Sequence, residues 1–302
     1  MRKERRRPLD SSDPGSSSHR EKRIGVIAGN GSFPVTFVKK AAAQGFSVFT
    51  VAFRGEGDVC LENLSQAFRW VYLGQVKKII RFFKDKDVDT VVMMGGIRKT
   101  RMFVDVRPDM LAIRAMAGMR HSHDDGVLRL FAGILADHGI HVVDSTAMLP
   151  ELLSPPGLWT RTRLPKGAAS DIEIAWKVAR RIGELDVGQC VVAGGGSVLA
   201  VEAIDGTDAT IRRGGDLGRG NAVLVKVAKP GQDMRFDIPA VGPETIRIMA
   251  ESGVAVLVLE AGKTLALERD VLVAEADRLG ICVLGIEDPE NLAMLLSEKG
   301  AA

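Results

Sequence analysis

Between Lys226 and Gly242 the chain reads K-V-A-K-P-G-Q-D-M-R-F-D-I-P-A-V-G. Cationic side chains hold phosphate oxygens, and a carboxylate holds a divalent ion or orients a water. The apolar run Ala222–Val227 delivers the first of two lysines, Lys226 and Lys229, and Pro230-Gly231 turns the chain after them. Asp233, Arg235 and Asp237 then alternate with Met234, Phe236 and Ile238. In an extended segment, residues two apart face the same side. The pattern therefore predicts the three charged groups on one side and the apolar groups on the other. A solvated edge strand with a surface ion pair has the same pattern and contributes only about 0–1 kcal/mol. Pattern alone leaves the phosphate site and the edge strand both open.

The elements that must position these residues begin with a short apolar strand, Arg23–Ala28, running straight into Gly29-Asn30-Gly31-Ser32-Phe33-Pro34. A helical pattern follows over Val35–Gln44, and a second strand over Ser47–Phe53. This is the opening of a doubly wound α/β sheet, and a glycine-rich loop there lets backbone N–H groups approach an anion. A nicotinamide fingerprint, and with it an oxidoreductase, fits poorly. Pro34 replaces the third glycine, and Arg54 stands where an acidic residue would hold a ribose. The glycines would also serve a turn required by chain geometry alone. Gln75–Lys84 reads as a helix and Asp89–Met94 as a strand ending in Gly95-Gly96, ahead of Arg98, a candidate substrate contact or a solvated loop charge. Helices over Met110–Met119 and Asp125–His138 flank His121-Ser122-His123-Asp124-Asp125. The two histidines lack a third metal ligand at helical spacing and read as surface residues; the aspartates suit an N-cap and a first-turn acid. After a strand at Ile140–Val143, Pro155-Pro156-Gly157 marks a domain boundary.

The C-terminal half starts with an amphipathic helix over Ser170–Leu185, capped by Ser170 or Asp171. Cys190–Ala193, a triple-glycine turn and Ser197–Ala203 form a hairpin, with Glu202 near its end. Gly206-Thr207-Asp208 opens a short helix reaching Arg212 and Arg213, and Thr207 and Asp208 either cap it or face a ligand. A helix from Pro243 to Ser252, a strand Val254–Glu260, a helix Arg269–Leu279 and a strand Ile281–Ile286 complete an α/β tail.

A length of 302 residues suggests two domains, and 46% apolar with 26% charged residues is ordinary globular composition with an ample core. The net charge of +3 is small and comes partly from the N-terminal tail, and aromatics make up only 5%, so nucleic acid is not an expected partner. No apolar run approaches the ~18–20 residues of a membrane span. Cys60, Cys190 and Cys282 are far apart and form no C-x-x-C pair, so neither a disulfide framework nor a zinc site is expected, and a reducing cytoplasm fits. Residues 1–22 are basic and serine-rich, without the apolar centre of a secretory signal. Their composition is that of a disordered segment, or of a basic arm drawn to an anionic membrane at about 1 kcal/mol per basic residue.

Five segments carry a resemblance. They are I-A-G-N-G-S-F-P at Ile27–Pro34, D-D-x-x-L-R at Asp124–Arg129, L-D-V-G-Q at Leu185–Gln189, L-A-V-E-A-I-D-G-T-D-A-x-I-R-R at Leu199–Arg213 and K-P-G-Q-D-M-R-F-D-I-P-A-V-G-P-E-T at Lys229–Thr245. In this order and spacing, over essentially Arg23 to Ile286, the chain resembles the bacterial UDP-2,3-diacylglucosamine diphosphatases of the LpxI type, enzymes of lipid A biosynthesis. The resemblance implies an N-terminal Rossmann-like parallel-sheet domain over residues 23–155 and a distinct C-terminal α/β catalytic domain over 156–302, with the active site in the interdomain cleft. It implies hydrolysis of a pyrophosphate bond to UMP and 2,3-diacylglucosamine 1-phosphate, with magnesium as the ion. The family's essential aspartate falls on Asp237, as metal ligand or water-orienting group; Asp208 and Glu202 join it as candidate ligands. Lys226, Lys229, Gln232, Arg235, Thr207 and Asp208 would contact substrate, and Gly29, Asn30, Gly31 and Ser32 would cradle a phosphate or the nucleotide. His121 and His123 depart from the family's usual pattern. A lipid-linked UDP-sugar would be met at the cytoplasmic surface of the inner membrane by a peripheral protein; a homo-oligomer is compatible with all of this. The alternative is a non-catalytic nucleotide-sugar-binding or regulatory protein of the same fold.

Overall fold

The computed structural model describes residues 22–97, 106–116, 124–236 and 238–292. The N-terminal half alternates strand and helix: β1 (Lys22–Ala28), α1 (Phe33–Ala43), β2 (Phe46–Phe53), α2 (Leu61–Leu64), β3 (Ala67–Val71), α3 (Val76–Lys84), β4 (Thr90–Met94), α4 (Met110–Met116), α5 (Asp124–Asp137), β5 (His141–Val142) and α6 (Ser145–Met148). Its five strands are ordered β3-β2-β1-β4-β5, and every pairing is parallel. Ile24–Ala28 is buried throughout because the sheet is covered on both faces. On one face Ile27, Val51 and Val91 pack with Ile79 and Phe83 of α3 and Leu135 of α5. On the other, Val26, Ala52 and Val92 pack with Phe37 and Val38 of α1.

The C-terminal half contains β6 (Gly157–Leu158), α7 (Ala168–Glu184), β7 (Cys190–Gly194), β8 (Ser197–Val201), α8 (Gly206–Gly218), β9 (Ala222–Lys226), β10 (Ala240–Val241), α9 (Pro243–Glu251), β11 (Val254–Glu260), β12 (Leu265–Ala266), α10 (Arg269–Leu279) and β13 (Cys282–Ile286). Six strands form a mixed sheet ordered β6-β13-β11-β9-β7-β8, parallel through β13, β11 and β9 and antiparallel at both edges. Residues of α7 cover one face, and α8, α9 and α10 the other. The protein is thus α/β, with a parallel-sheet N-terminal domain and a separate C-terminal sheet domain. The two pack closely. Leu265 and Leu267 from around β12 complete the α1-covered face of the N-terminal sheet, and Ser154 is bonded to Thr264 and to the carbonyl of Glu260.

The structure corrects several expectations. The central stretch is not extended. Strand β9 ends at Lys226, and Met234–Phe236 is a turn. The apolar members of the alternation do not face one strand side; Phe236 and Ile238 pack against the two core clusters of the N-terminal domain. Tertiary burial has overridden the period-two pattern. The helix opening at Gly206 runs to Gly218, well past Arg213. Within that added length, a Cβ on Gly214 would lie 2.4 Å from the Val192 side chain and one on Gly215 2.1 Å from the Ser252 carbonyl. These glycines let α8 lie close on β7 and on the end of α9. Helix α7 begins at Ala168 after Gly167, so neither Ser170 nor Asp171 is its N-cap. Buried Asp171 instead accepts the backbone N–H groups of Gly195 and Gly196, fixing the hairpin turn. Strand β3 at the sheet edge, and the short β6, β10 and β12, have no counterpart in the sequence reading.

Candidate active site

The carboxyl ends of open parallel strands are where α/β folds place ligands. Here two such ends meet. Residues following β5 in the N-terminal domain face residues following β9 and β11 in the C-terminal domain across a cleft of about 350 Å³. Asp144 and Thr146 line it from the first domain; Arg180, Lys229, Gln232 and Lys263 line it from the second. A larger hollow of about 460 Å³ beside α10 lies elsewhere, where Arg161 is already closed onto Asp277.

At the base of the cleft the β11 residue Glu260 is only 2% exposed. Its carboxylate accepts the Ala228 N–H at 2.9 Å, Lys263 Nζ at 2.7 Å and Arg180 Nη1 at 3.3 Å to each oxygen. Lys229 donates to Asp186, just past the end of α7, at 2.7 Å. Its backbone N–H is held by the Gln232 side-chain oxygen at 2.8 Å, which tightens the Pro230-Gly231 turn. Across the cleft, Asp144 accepts both the N–H and the hydroxyl of Thr146.

Beyond that turn, Arg235 grips Asp233 through Nε at 2.9 Å and Nη2 at 2.7 Å. Arg129 of α5 approaches the same carboxylate at 3.8 Å, so this ion cluster bridges the domains. The Arg235 hydrogen bonds, with Arg129 adding to them, hold the Asp233 carboxyl below the usual range.

Lys226 takes a different path from Lys229. It is 4% exposed and donates to the Thr207 hydroxyl at 2.7 Å; Thr207 donates in turn to Glu202 at 2.7 Å. The other Glu202 oxygen accepts the Gln189 N–H at 2.9 Å. Thr207 is therefore not the N-cap of α8, a place that Asp205 takes. Asp208 sits exposed in the first turn of α8. Burial pushes the adjacent Cys190 thiol far up, with Glu202 adding to the shift, which disfavours its thiolate.

In the N-terminal domain, the Gly29–Ser32 loop crosses the loop after β4. Asn30 and Gly96 exchange backbone hydrogen bonds, and a Cβ on Gly29 would lie 2.3 Å from the Gly96 carbonyl. Gly29 is thus required by chain geometry. Asn30 Nδ2 donates to Glu56, while Gly31 and Ser32 are exposed.

The structure brings Lys226, Thr207 and Glu202 into one buried chain, and Lys229, Gln232 and Arg235 onto one loop. Asp237 lies outside the described residues, as do Arg98, His121 and His123. Among the described residues no three His, Cys, Asp or Glu side chains group as a metal site. Each Glu202 oxygen accepts one hydrogen bond, from Thr207 and from the Gln189 N–H. Sequence reasoning missed Arg180, Glu260, Lys263 and Asp144. The available signal was that Glu260 ends one apolar strand and Asp144 follows another, at the carboxyl ends where α/β sites form.

Residues 23–152 match the LpxI N-terminal domain and residues 155–284 the LpxI C-terminal domain. A curated relative, UDP-2,3-diacylglucosamine pyrophosphatase LpxI of Caulobacter vibrioides, is 33% identical over 281 residues, covering 89% of this chain and 99% of that protein. Likeness to solved structures is weak. CobK precorrin-6A reductase is 13% identical with a TM-score of 0.28, covering 92% of this chain and 97% of that one. A biotin carboxylase from Campylobacter jejuni is 16% identical with a TM-score of 0.26, covering 64% and 41%. With both of its domains matched and a relative aligned along nearly its whole length, the chain belongs to the LpxI family.

Proposed function

We propose that this protein hydrolyses the pyrophosphate bond of UDP-2,3-diacylglucosamine, giving UMP and 2,3-diacylglucosamine 1-phosphate in lipid A biosynthesis. The observation that carries the proposal is the basic interdomain cleft, formed at the carboxyl ends of strands from both sheets, in a chain that aligns over 89% of its length with a relative named for that activity. In the reaction the oxygen of water forms a bond to one phosphorus and the P–O–P bridge breaks. The bridging oxygen leaves on the other phosphate, and the water's protons pass to solvent. Such transfers are catalysed mostly by positioning and by neutralising charge on oxygens.

Lys229 and Arg235 are assigned to the phosphate oxygens, and Gln232 to holding the loop that presents Lys229. The buried Lys226–Thr207–Glu202 chain fixes the start of α8 beside them. Asp237 is assigned to the attacking water or to magnesium. Magnesium needs only one or two carboxylates, with waters and phosphate oxygens completing its shell, and would supply charge neutralisation when bound. No helix among the described residues is long and apolar enough to cross a membrane. A peripheral position at the cytoplasmic face of the inner membrane suits a substrate with two acyl chains. Exposed Leu185, Val187 and Ile204, on loops tied together by the Gln189–Glu202 bond, support that lipid contact.

The test is UMP release from UDP-2,3-diacylglucosamine with magnesium, with Asp237→Ala alongside. Release that falls at least about 100-fold in the folded variant, as loss of a principal electrostatic group does, and that stops with chelator, supports the assignment. Binding of the substrate by folded wild type without turnover would leave a nucleotide-sugar-binding protein instead.

A further inference from the structure

We propose that Arg180 and Lys263, both pinned by the buried Glu260, form an anion site that takes a phosphate group in the interdomain cleft. Glu260 is one carboxylate facing two cations, so the trio carries one positive charge more than it neutralises internally. The donors are also incompletely used. Arg180 engages only Nη1, which reaches both Glu260 oxygens and the Ala228 carbonyl, all at 3.3 Å. Its Nε and Nη2 make no bond among the described residues. A guanidinium presents its donors as a planar fork that matches two phosphate oxygens. Among the described residues Lys263 donates once, to Glu260 at 2.7 Å, which leaves two further N–H donors of its ammonium. Neither side chain is sealed: the Arg180 side chain is 34% exposed and that of Lys263 55%.

Both side chains line the cleft of about 350 Å³, with Lys229 on the same wall. Among the described residues that line it the sole carboxylate is Asp144, on the opposite wall, and one of its oxygens is already engaged by Thr146. Glu260 itself does not line the cleft. It lies beneath, where it also holds the Ala228 N–H and so the start of the Lys229 loop. A buried carboxylate that aims two cations outward, each with donors to spare, is the arrangement expected of a preorganised anion site. That the phosphate belongs to a nucleotide-linked sugar rests on the function proposed above; the anion chemistry does not.

The experiment is calorimetric titration of the full chain with inorganic phosphate and, separately, with UMP, using wild type, Arg180→Gln, Lys263→Gln and Arg180→Lys. Melting temperatures establish that each variant is folded. The expected result is that Arg180→Gln and Lys263→Gln each weaken binding about 5-fold or more, with Arg180→Lys, which keeps charge but loses the fork, in between. Weakening for both probes supports the site and places the substrate's phosphate there. Weakening for inorganic phosphate alone supports the anion site and assigns it to the free ion, leaving the hydrolase proposal to be decided by UMP release. Unchanged affinity for both probes in folded Arg180→Gln and Lys263→Gln overturns the proposal.

Discussion

Two basic clusters stand at the carboxyl ends of the central strands β9 and β11 of the C-terminal sheet, and they treat charge in opposite ways. In one, Lys226, Thr207 and Glu202 form a closed chain: one cation, one hydroxyl and one carboxylate, with Lys226 4% and Glu202 8% exposed. In the other, Arg180 and Lys263 share the single carboxylate of Glu260, and both open onto the cleft. The first balances its one cation against its one carboxylate through the shared hydroxyl, away from water. The second leaves a positive charge and several N–H donors for something outside the protein. Density of lysine and arginine in a sequence does not separate these cases. What separates them is whether the partner count matches the charge count, and which atoms face water.

That contrast can be broken at either cluster. The larger effect is expected in the closed one. Thr207→Val removes the hydroxyl on which both Lys226 Nζ and Glu202 rely, leaving two buried polar groups short of a partner. A loss of about 2 kcal/mol in unfolding free energy is expected, read by denaturant titration, with Thr207→Ser recovering most of it. A variant as stable as wild type would mean that the chain is not closed as described.

The smaller effect lies in the loop beside the open cluster. Asp233, held ionised by Arg235 and Arg129, bridges the domains. Because its folded-state pKa is lowered, its contribution to stability is present above the unfolded carboxylate value near about 4 and is lost as pH falls through the lower folded value. Asp233→Asn should therefore be less stable than wild type by no more than about 1 kcal/mol, since the pair is partly exposed. Thermal melts at a series of pH values should show the difference at pH 6 shrinking below about pH 4. A difference that grew on acidification would contradict the assignment.

Much of the frame was legible in the residues. Uninterrupted apolar runs such as Ile24–Ala28 and Val254–Glu260 give strands buried on both faces, and the glycines after β1 and β4 mark the crossing of two strand-end loops. The local rules failed where a contact distant in sequence decided the outcome. The alternation from Asp233 to Ile238 reads as a strand, yet Phe236 and Ile238 are drawn apart onto the other domain's cores. The helix from Gly206 reads as short, reaching Arg213, yet it runs on through Gly214 and Gly215, where α8 touches Val192 and Ser252. The site divides in the same way. Lys229, Gln232 and Arg235 lie close together in sequence and could be read together. Arg180 and Lys263 lie on separate elements and are joined only through Glu260, so no spacing in the sequence announces them.

The claim that the cleft is where substrate binds is tested most directly by mapping UMP onto the backbone amides of the labelled full chain by NMR. Perturbations concentrated at Ala228–Gln232 and Gly262–Lys263, with Asp144–Thr146 responding from the opposite wall, are what the account predicts. Perturbations confined to the crossing loops at Gly29–Ser32 and Gly95–Gly96, with the cleft silent, would contradict it.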